Sequence, residues 1–281
     1  MLGALLAALT VTLVLAPSAM ANFITPKAGG SPNADNIASL YKFILVLAVI
    51  VFVGVEGALL YSVFRFRSRK SKVAAQIHGN TRLEIGWTVG AALILVVITV
   101  ITFIKLPGII NPPNSSANGL VLSADLGQPT PPNGKKLTIC VQGRQYIWRY
   151  TYGPGCNAGA YSAKLPYSYT EMVAPSNTTV QLVIQSTDVI HSWWVPSMGG
   201  KVDAVPGYTT YTWFKAPHAG ALFIGHCAQL CGRQHAAMLA RVRIVTPSQY
   251  RLWTTRQSNL IARANSQVTQ LRQVLTANGN L

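Results

Sequence analysis

"HCAQLCGRQHAAM" (226–238) places two cysteines, two histidines and a methionine within one short loop of a 281-residue chain. The whole chain has only four cysteines and five histidines. The order is Cys227-x3-Cys231-x3-His235-x2-Met238, and the loop lies between "ALFIG" (221–225) and "AMLARVRIV" (237–245). Both flanks are short runs rich in β-branched and aromatic residues, which read as strands. A further histidine, His191, follows another such run, "TVQLVIQSTDVI" (179–190).

Thiolate and thioether sulfur together with imidazole nitrogen favour copper. His191, Cys231, His235 and Met238 would already make the mononuclear electron-transfer set of one Cys, two His and an axial Met. Cys227 is surplus to that set. Two thiolates in one loop can bridge two copper ions, each seeing both sulfurs and one imidazole. Such a pair shares an electron, and strands at both ends keep its geometry fixed. Two other readings stand beside this one. A Cys–Cys pair outside the cytoplasm commonly forms a disulfide, and Cys2His2 sets hold structural zinc. Zinc has no use for Met238, and the His-x3-5-His half of the usual zinc spacing is absent. A disulfide leaves both histidines and the methionine without a role. Copper accounts for every donor in the loop.

Outward from the loop the chain continues in the same idiom. "KLTICVQ", "QYIWRYTY", "TTVQLVIQST" and "YTTYTWFKA" add short strands separated by Gly, Pro, Asn and Ser. Several short strands at this spacing predict a β-sandwich or small barrel over 135–247. Residues 107–134 are rich in Pro, Asn, Gly and Ser and read as a linker. Residues 248–281 switch to helical spacing, with Trp253, Leu260, Ala264, Val268, Leu271 and Leu275 on one stripe. That helix is expected to pack on its own domain or on a partner subunit.

Upstream, composition points to a membrane. The chain is 50% hydrophobic and only 11% charged, too apolar for an ordinary soluble protein. Phe43–Phe64 is interrupted by one charge, Glu56, and Ile85–Ile104 by none. Each is long enough to span a bilayer, which predicts a transmembrane hairpin over 41–106 with helices at 41–66 and 84–106. Arg65, Arg67, Arg69, Lys70, Lys72 and Arg82 lie between them without an acid. By the positive-inside rule that loop is cytoplasmic. The expected location is therefore the cytoplasmic membrane, multi-pass, with both ends outside. Glu56, inside the first span, is expected to hydrogen-bond a neighbouring helix. Leu2–Met20 ends in Ala19-Met20-Ala21, the pattern of a signal peptide (1–21) cleaved before Asn22. It lacks a positive start, and a retained third membrane helix is the other reading. Residues 22–40 would then be an outer N-terminal segment.

These pieces together resemble subunit II of the haem–copper cytochrome c oxidases. The resemblance rests on the membrane hairpin, the basic inner loop and "DVIHSWWVPSMGGKVDAVPG" (188–207) followed by "GHCAQLCGRQHAAM" (225–238). It implies a cupredoxin-like sandwich carrying a binuclear copper A centre of two copper ions. Cys227 and Cys231 would bridge them, His191 and Met238 would complete one, and His235 with the carbonyl of Gln229 the other. Most members carry Glu at that position, whose side chain also reaches a magnesium ion at the boundary with subunit I. An amide is the weaker magnesium ligand, so magnesium is in question here while copper is not.

The resemblance also assigns roles elsewhere. "GRQYIWRY" (143–150) matches the aromatic segment where electrons enter. Tyr146 stands where the family has its entry Trp. Trp148 matches the second Trp, with simple strand packing as an equal reading. Glu84 matches a glutamate at the entrance of a proton channel in subunit I; a water-facing charge at a helix end is the alternative. Cys140 and Cys156 remain, either as a disulfide or as two buried thiols. No Cys-x-x-Cys-His occurs, so a covalent c-type haem is not expected.

The net charge is +16, yet no nucleic-acid-binding motif accompanies it, and nucleic acid is not an expected partner. After Pro107 fourteen Lys and Arg face four acids, Asp125, Glu171, Asp188 and Asp203. Electrostatic steering needs opposite signs. The donor, a cytochrome c or a cupredoxin, is therefore expected to be acidic or tethered rather than lysine-rich, unless the outside is itself acidic. A domain poor in carboxylates has little charge to lose as pH falls. Partners are expected to be subunit I and the other oxidase subunits. The function implied is electron input to a terminal oxidase that reduces oxygen to water and pumps protons. The small subunit of a copper-A nitric oxide reductase and a membrane-anchored copper carrier are the alternatives.

Overall fold

The computed structural model describes residues 25–67, 76, 78–115, 131–153 and 165–278. The expected signal peptide and the partner cysteine Cys156 lie outside the described residues, as does most of the linker. The chain divides into two compact units, one built on Ala38–Pro107 and the other on Pro26–Ile37 with Gly108–Leu281.

The first unit contains most of two long helices, α1 (Pro32–Arg65) and α2 (Thr81–Ile110). α1 starts on Pro32, whose fixed φ suits a first helical position, with Asp35 in its first turn. The polar "SPNADN" therefore opens the helix rather than preceding it. α2 starts at a capping box. Asn80 Oδ1 accepts from the Leu83 N–H at 3.2 Å, and Glu84 Oε1 accepts from the Asn80 N–H at 3.3 Å. In the most apolar 18-residue window of each helix no residue is buried within the chain. Two helices of that length and hydropathy, with their apolar surface turned outward, make this a membrane protein.

The second unit is a β-sandwich. One five-stranded sheet has the order β3-β2-β1-β5-β8, the other β4-β10-β9-β6-β7. The strands are β1 (Leu137–Arg144), β2 (Ile147–Tyr152), β3 (Tyr167–Tyr169), β4 (Glu171–Pro175), β5 (Thr179–Ser186), β6 (His191–Trp194), β7 (Val202–Ala204), β8 (Thr210–Lys215), β9 (Leu222–Cys227) and β10 (Leu239–Val245). β1 pairs with β5 and β4 with β10 in parallel; the other named pairs are antiparallel. The core lies between the sheets. In "LARVRIV" Ala240, Val242 and Ile244 are buried while Arg241 and Arg243 point out, the period of two that a one-faced strand requires. Trp148, Tyr150 and Tyr152 from β2 meet Met172, Trp193 and Ala204 from the other sheet in one cluster.

Three strands position the expected ligands. His191 begins β6, Cys227 ends β9, and Met238 immediately precedes β10. β6 and β9 pair antiparallel with Trp193 opposite Cys227, and β9 pairs with β10. All three therefore open at one end of the same sheet. Gly225 sits where β9 passes Trp194 and Val195, and a Cβ there would meet the Trp194 carbonyl oxygen and the Val195 Cα.

The free edge of β8 is covered by the chain's own N-terminal segment. Ser31 Oγ accepts from the Lys215 N–H at 3.0 Å, and Asn33 Nδ2 donates to the Trp213 carbonyl at 2.8 Å. The C-terminal helix α3 (Pro247–Ala277) starts at a second capping box, Thr246 with Gln249. It docks through Tyr250 and Trp253, the latter 4.8 Å from the Tyr152 ring centroid. Cys140 is disulfide-bonded.

Candidate metal centre

The six expected donors converge. Cys227 Sγ lies 3.9 Å from Cys231 Sγ, 3.9 Å from His191 Nδ1 and 3.3 Å from the carbonyl oxygen of Gln229. Cys231 Sγ lies 3.6 Å from His235 Nδ1 and 4.0 Å from Met238 Sδ. The two sulfurs are thus the hub, and each of the other four donors approaches one of them. His191, Cys227, Cys231 and Met238 are buried. The cysteines are free thiols although they face each other. Their separation is well beyond a disulfide bond of about 2.05 Å.

The loop backbone explains how a short segment does this. Cys227 N–H donates to the Met238 carbonyl at 2.9 Å, and Ala228 N–H donates to the Ser192 carbonyl at 2.9 Å. The first bond closes the loop; the second ties it to β6 beside His191. Gly232, at φ +130, lets the chain turn after Cys231 in a conformation that other residues rarely adopt.

Two residues that the sequence reading passed over hold the ligands in place. Asp188 Oδ1 lies 2.9 Å from His191 Nε2, which leaves Nδ1 facing the sulfurs. The Asp188 carboxylate also accepts from the backbone N–H of Gln145 and of Val189, each at 2.7 Å. Gln145 Nε2 in turn donates to the Cys231 carbonyl at 2.7 Å. A carboxylate behind a metal-facing imidazole fixes its tautomer and raises its basicity. The only sequence cue was an Asp three residues before the His in "DVIH".

Burial disfavours the charged form of Cys227. The hydrogen bond with His191, then those to Ser192 and Gln229, outweigh it and bring the thiol down to about 6. Burial pushes Cys231 up to about 11, aided by the negative charge on Cys227. The metal-free pair therefore carries one thiolate at neutral pH, a form ready to take a metal. Burial opposes ionisation of Asp188, but the Gln145 N–H and the His191 ring hold its carboxyl below the usual range. The same burial works against protonated His191, while Cys227 and Asp188 raise it.

The donor set is two thiols, a thioether, two imidazoles and one carbonyl, with no carboxylate among the converging atoms. That softness suits copper. The residues present fit the copper centre expected from the sequence.

The other expected residues fall in different places. Tyr146 is half-buried in the turn between β1 and β2. A Cβ added to Gly232 would stand 3.1 Å from its ring, so the tyrosine lies beside the residue after Cys231. Trp148 is fully buried, with its ring centroid 5.9 Å from that of His191; the packing role is visible, and no surface is left for a partner to touch. Glu84 belongs to the membrane unit, where its carboxylate caps α2. His226 is exposed and packs edge-on to Trp194 at 5.4 Å.

Comparison with known proteins agrees with this geometry. The sequence family described as cytochrome c oxidase subunit II, periplasmic domain, matches residues 137–245, and its transmembrane domain matches 18–104. Cytochrome c oxidase subunit 2 of Cereibacter sphaeroides is 33% identical over 252 residues, covering 79% of this chain and 76% of that protein. A probable cytochrome c oxidase subunit 2 of Rickettsia bellii is 29% identical over 245 residues, covering 83% of each. Among solved structures, the periplasmic domain of subunit II of cytochrome oxidase of Bradyrhizobium japonicum shares 30% identity. It covers 44% of this chain and 95% of that one, with a TM-score of 0.39. Two family matches that together span the membrane hairpin and the β domain, and a relative matched over three quarters of its length, place the chain: it belongs to the cytochrome c oxidase subunit II family, part of the haem–copper oxidase complex.

Proposed function

We propose that His191, Cys227, Gln229 through its carbonyl, Cys231, His235 and Met238 hold two copper ions as a binuclear copper A centre. The observation that carries this is the pair of free sulfurs, 3.9 Å apart, with the four other donors gathered around them. Bound there, the copper pair supplies one-electron redox chemistry. The subunit accepts electrons singly from a donor outside the membrane and delivers them to haem in subunit I, its immediate partner. The chain's residues make that exchange cheap. Strands β6, β9 and β10 fix the donors, and burial excludes water, so little has to reorganise when charge changes.

Asp188 orients His191. Asp188→Asn keeps the shape but removes the charge behind the imidazole. Copper affinity is expected to fall roughly 10- to 100-fold, read by competition with a copper chelator, while the stoichiometry at saturation stays the same. An unchanged affinity would remove Asp188 from this role.

Tyr146 is the proposed entry point, beside the loop that carries Cys231. Tyr146→Ala is expected to lower the second-order rate of reduction by a donor protein about tenfold, with the copper spectrum unaltered. Tyr146→Trp should retain the rate. Equal loss in both variants would assign Tyr146 to packing. Gln229 offers only an amide where a carboxylate would favour magnesium, so no tightly held magnesium is expected at the subunit I boundary. Glu84 is proposed to serve proton entry only as an extension of its capping place, with α2 presenting it at the inner end.

The location proposed is the cytoplasmic membrane, with the basic 65–82 loop inside and both ends of the chain outside. Residues 1–21 are proposed to be a signal peptide, 135–247 the copper domain and 248–281 its helical extension. The deciding experiment is electron paramagnetic resonance of the oxidised, copper-loaded full-length chain. A seven-line hyperfine pattern, one electron over two coppers, is expected. A four-line pattern would mean a single copper and overturn the binuclear reading.

A further inference from the structure

Beside the metal loop lies an open cleft of about 870 Å³. Its walls include Gln142, Arg144, Gln145, Ile147, Arg149 and Asp188. Two guanidinium groups thus face one carboxylate. That carboxylate is already engaged, by His191 Nε2 at 2.9 Å and by the N–H groups of Gln145 and Val189. The cleft therefore presents net positive charge.

The two arginines differ in kind. Arg149 is only 4% exposed, and its guanidinium lies 4.3 Å over the Tyr167 ring centroid. It is a charge fixed in place by stacking and burial. Arg144 ends β1 and is exposed, one residue before Gln145 and two before Tyr146. It can swing to meet an incoming group. Gln145 ties the cleft wall to the metal loop through its bond to the Cys231 carbonyl at 2.7 Å.

Elsewhere the β domain has little acid with which to attract a basic partner. The described acids after Pro107 are Glu171, Asp188 and Asp203. Glu171 is held by Arg243 in a two-pronged pair at 2.7 and 2.9 Å. A lysine-rich protein approaching this face meets repulsion, while an acidic one meets a basic cleft next to the route inward.

We infer that the Arg144–Arg149 cleft is the docking site of an acidic electron-donor protein, whose surface carboxylates pair with the two guanidinium groups. This rests on the copper reading given above. One electron leaves the reduced donor and arrives at the metal centre; no bond forms or breaks and no group is transferred. Arg144 and Arg149 hold the partner and take no part in the redox change.

The test uses the purified oxidase containing the full-length chain. The probes are a cytochrome c with a strongly acidic surface and a lysine-rich cytochrome c. Binding is measured for both, on copper-loaded and copper-depleted enzyme. The acidic probe is expected to bind at about 20 mM salt and to lose roughly tenfold or more in affinity by about 200 mM. The lysine-rich probe should bind more weakly than the acidic one. Arg144→Glu should weaken the acidic probe about tenfold at low salt. Arg272→Glu, the same charge change on α3, should leave its affinity within about twofold. Tighter binding of the lysine-rich probe would overturn the inference. Equal weakening by the two substitutions would also overturn it, because the attraction would then belong to the overall field and not to this cleft. The full binding pattern on copper-depleted enzyme, with no electron uptake once copper is restored, would support the docking surface and count against the copper reading.

Discussion

Cys231→Ser is expected to lower donor-driven turnover of the oxidase by roughly a hundredfold or more. Its sulfur is the meeting point of the centre, 3.9 Å from Cys227 Sγ, 3.6 Å from His235 Nδ1 and 4.0 Å from Met238 Sδ. A serine hydroxyl has nearly the same shape but is hard, neutral and a poor copper ligand. His235 and Met238 would lose the sulfur they both approach. Copper content should fall from two ions to one or none, and the seven-line resonance should disappear. The fold should hold, since Cys231 sits at the edge of the core cluster and its replacement is nearly isosteric. A thermal midpoint within a few degrees of the parent, measured without metal, separates a lost ligand from a lost fold. Turnover within about twofold of the parent, with copper retained, would mean that the paired sulfurs are not the ligands.

The second large effect needs no metal. Gly225→Ala should destabilise the β domain by about 3 kcal/mol, roughly 10 °C in thermal midpoint. The added methyl carbon would overlap the Trp194 carbonyl oxygen and crowd the Val195 Cα. Both are backbone atoms of a buried stretch and cannot swing aside as a side chain would. Relief requires β9 to separate from β6, and that pairing sets Trp193 opposite Cys227. Copper uptake should therefore weaken along with stability. Calorimetry of the variant beside Gly220→Ala gives the contrast. A Cβ at Gly220 meets nothing within 4 Å, although its φ of +92 still carries a backbone cost. A midpoint for Gly225→Ala within about two degrees of the parent would refute the close approach.

The metal loop was legible because its chemistry is local. Donors three and four residues apart are carried by one segment, and the strand runs on either side announce themselves by alternation and β-branching. The same cues found β1, β2, β5, β8, β9 and β10. They passed over β4, β6 and β7, where "EMVAP", "HSWW" and "VDA" are too short to show a period and owe their form to pairing with distant strands. β6 matters most, because it delivers His191. The Asp188–His191 bond was hidden for a similar reason: a spacing of three says nothing until the turn into β6 brings the carboxylate behind the ring. The start of α1 was placed too late because "SPNADN" is polar enough for a loop; what it offers is a first-turn proline and an acid that complements the helix dipole. Trp148 and Tyr146 look alike in sequence, two residues apart, and only burial separates the core side chain from the surface one.

The contact between the N-terminal segment and β8 sets a clock on biogenesis. Asn33 and Trp213 are separated by 180 residues, and Ser31 and Lys215 by 184. At a synthesis rate of about 5–20 residues per second, the segment waits roughly 10–40 s for its partners to be made. During that interval the first membrane helix is already complete while the strand that its leading turns will cover does not yet exist. Once β8 arrives, its exposed row of backbone groups, which could otherwise recruit a strand from a neighbouring molecule, closes onto residues that have been waiting since the start of translation. The earliest part of the subunit to be synthesised is thus among the last to find its place, and it seals the sheet when it does.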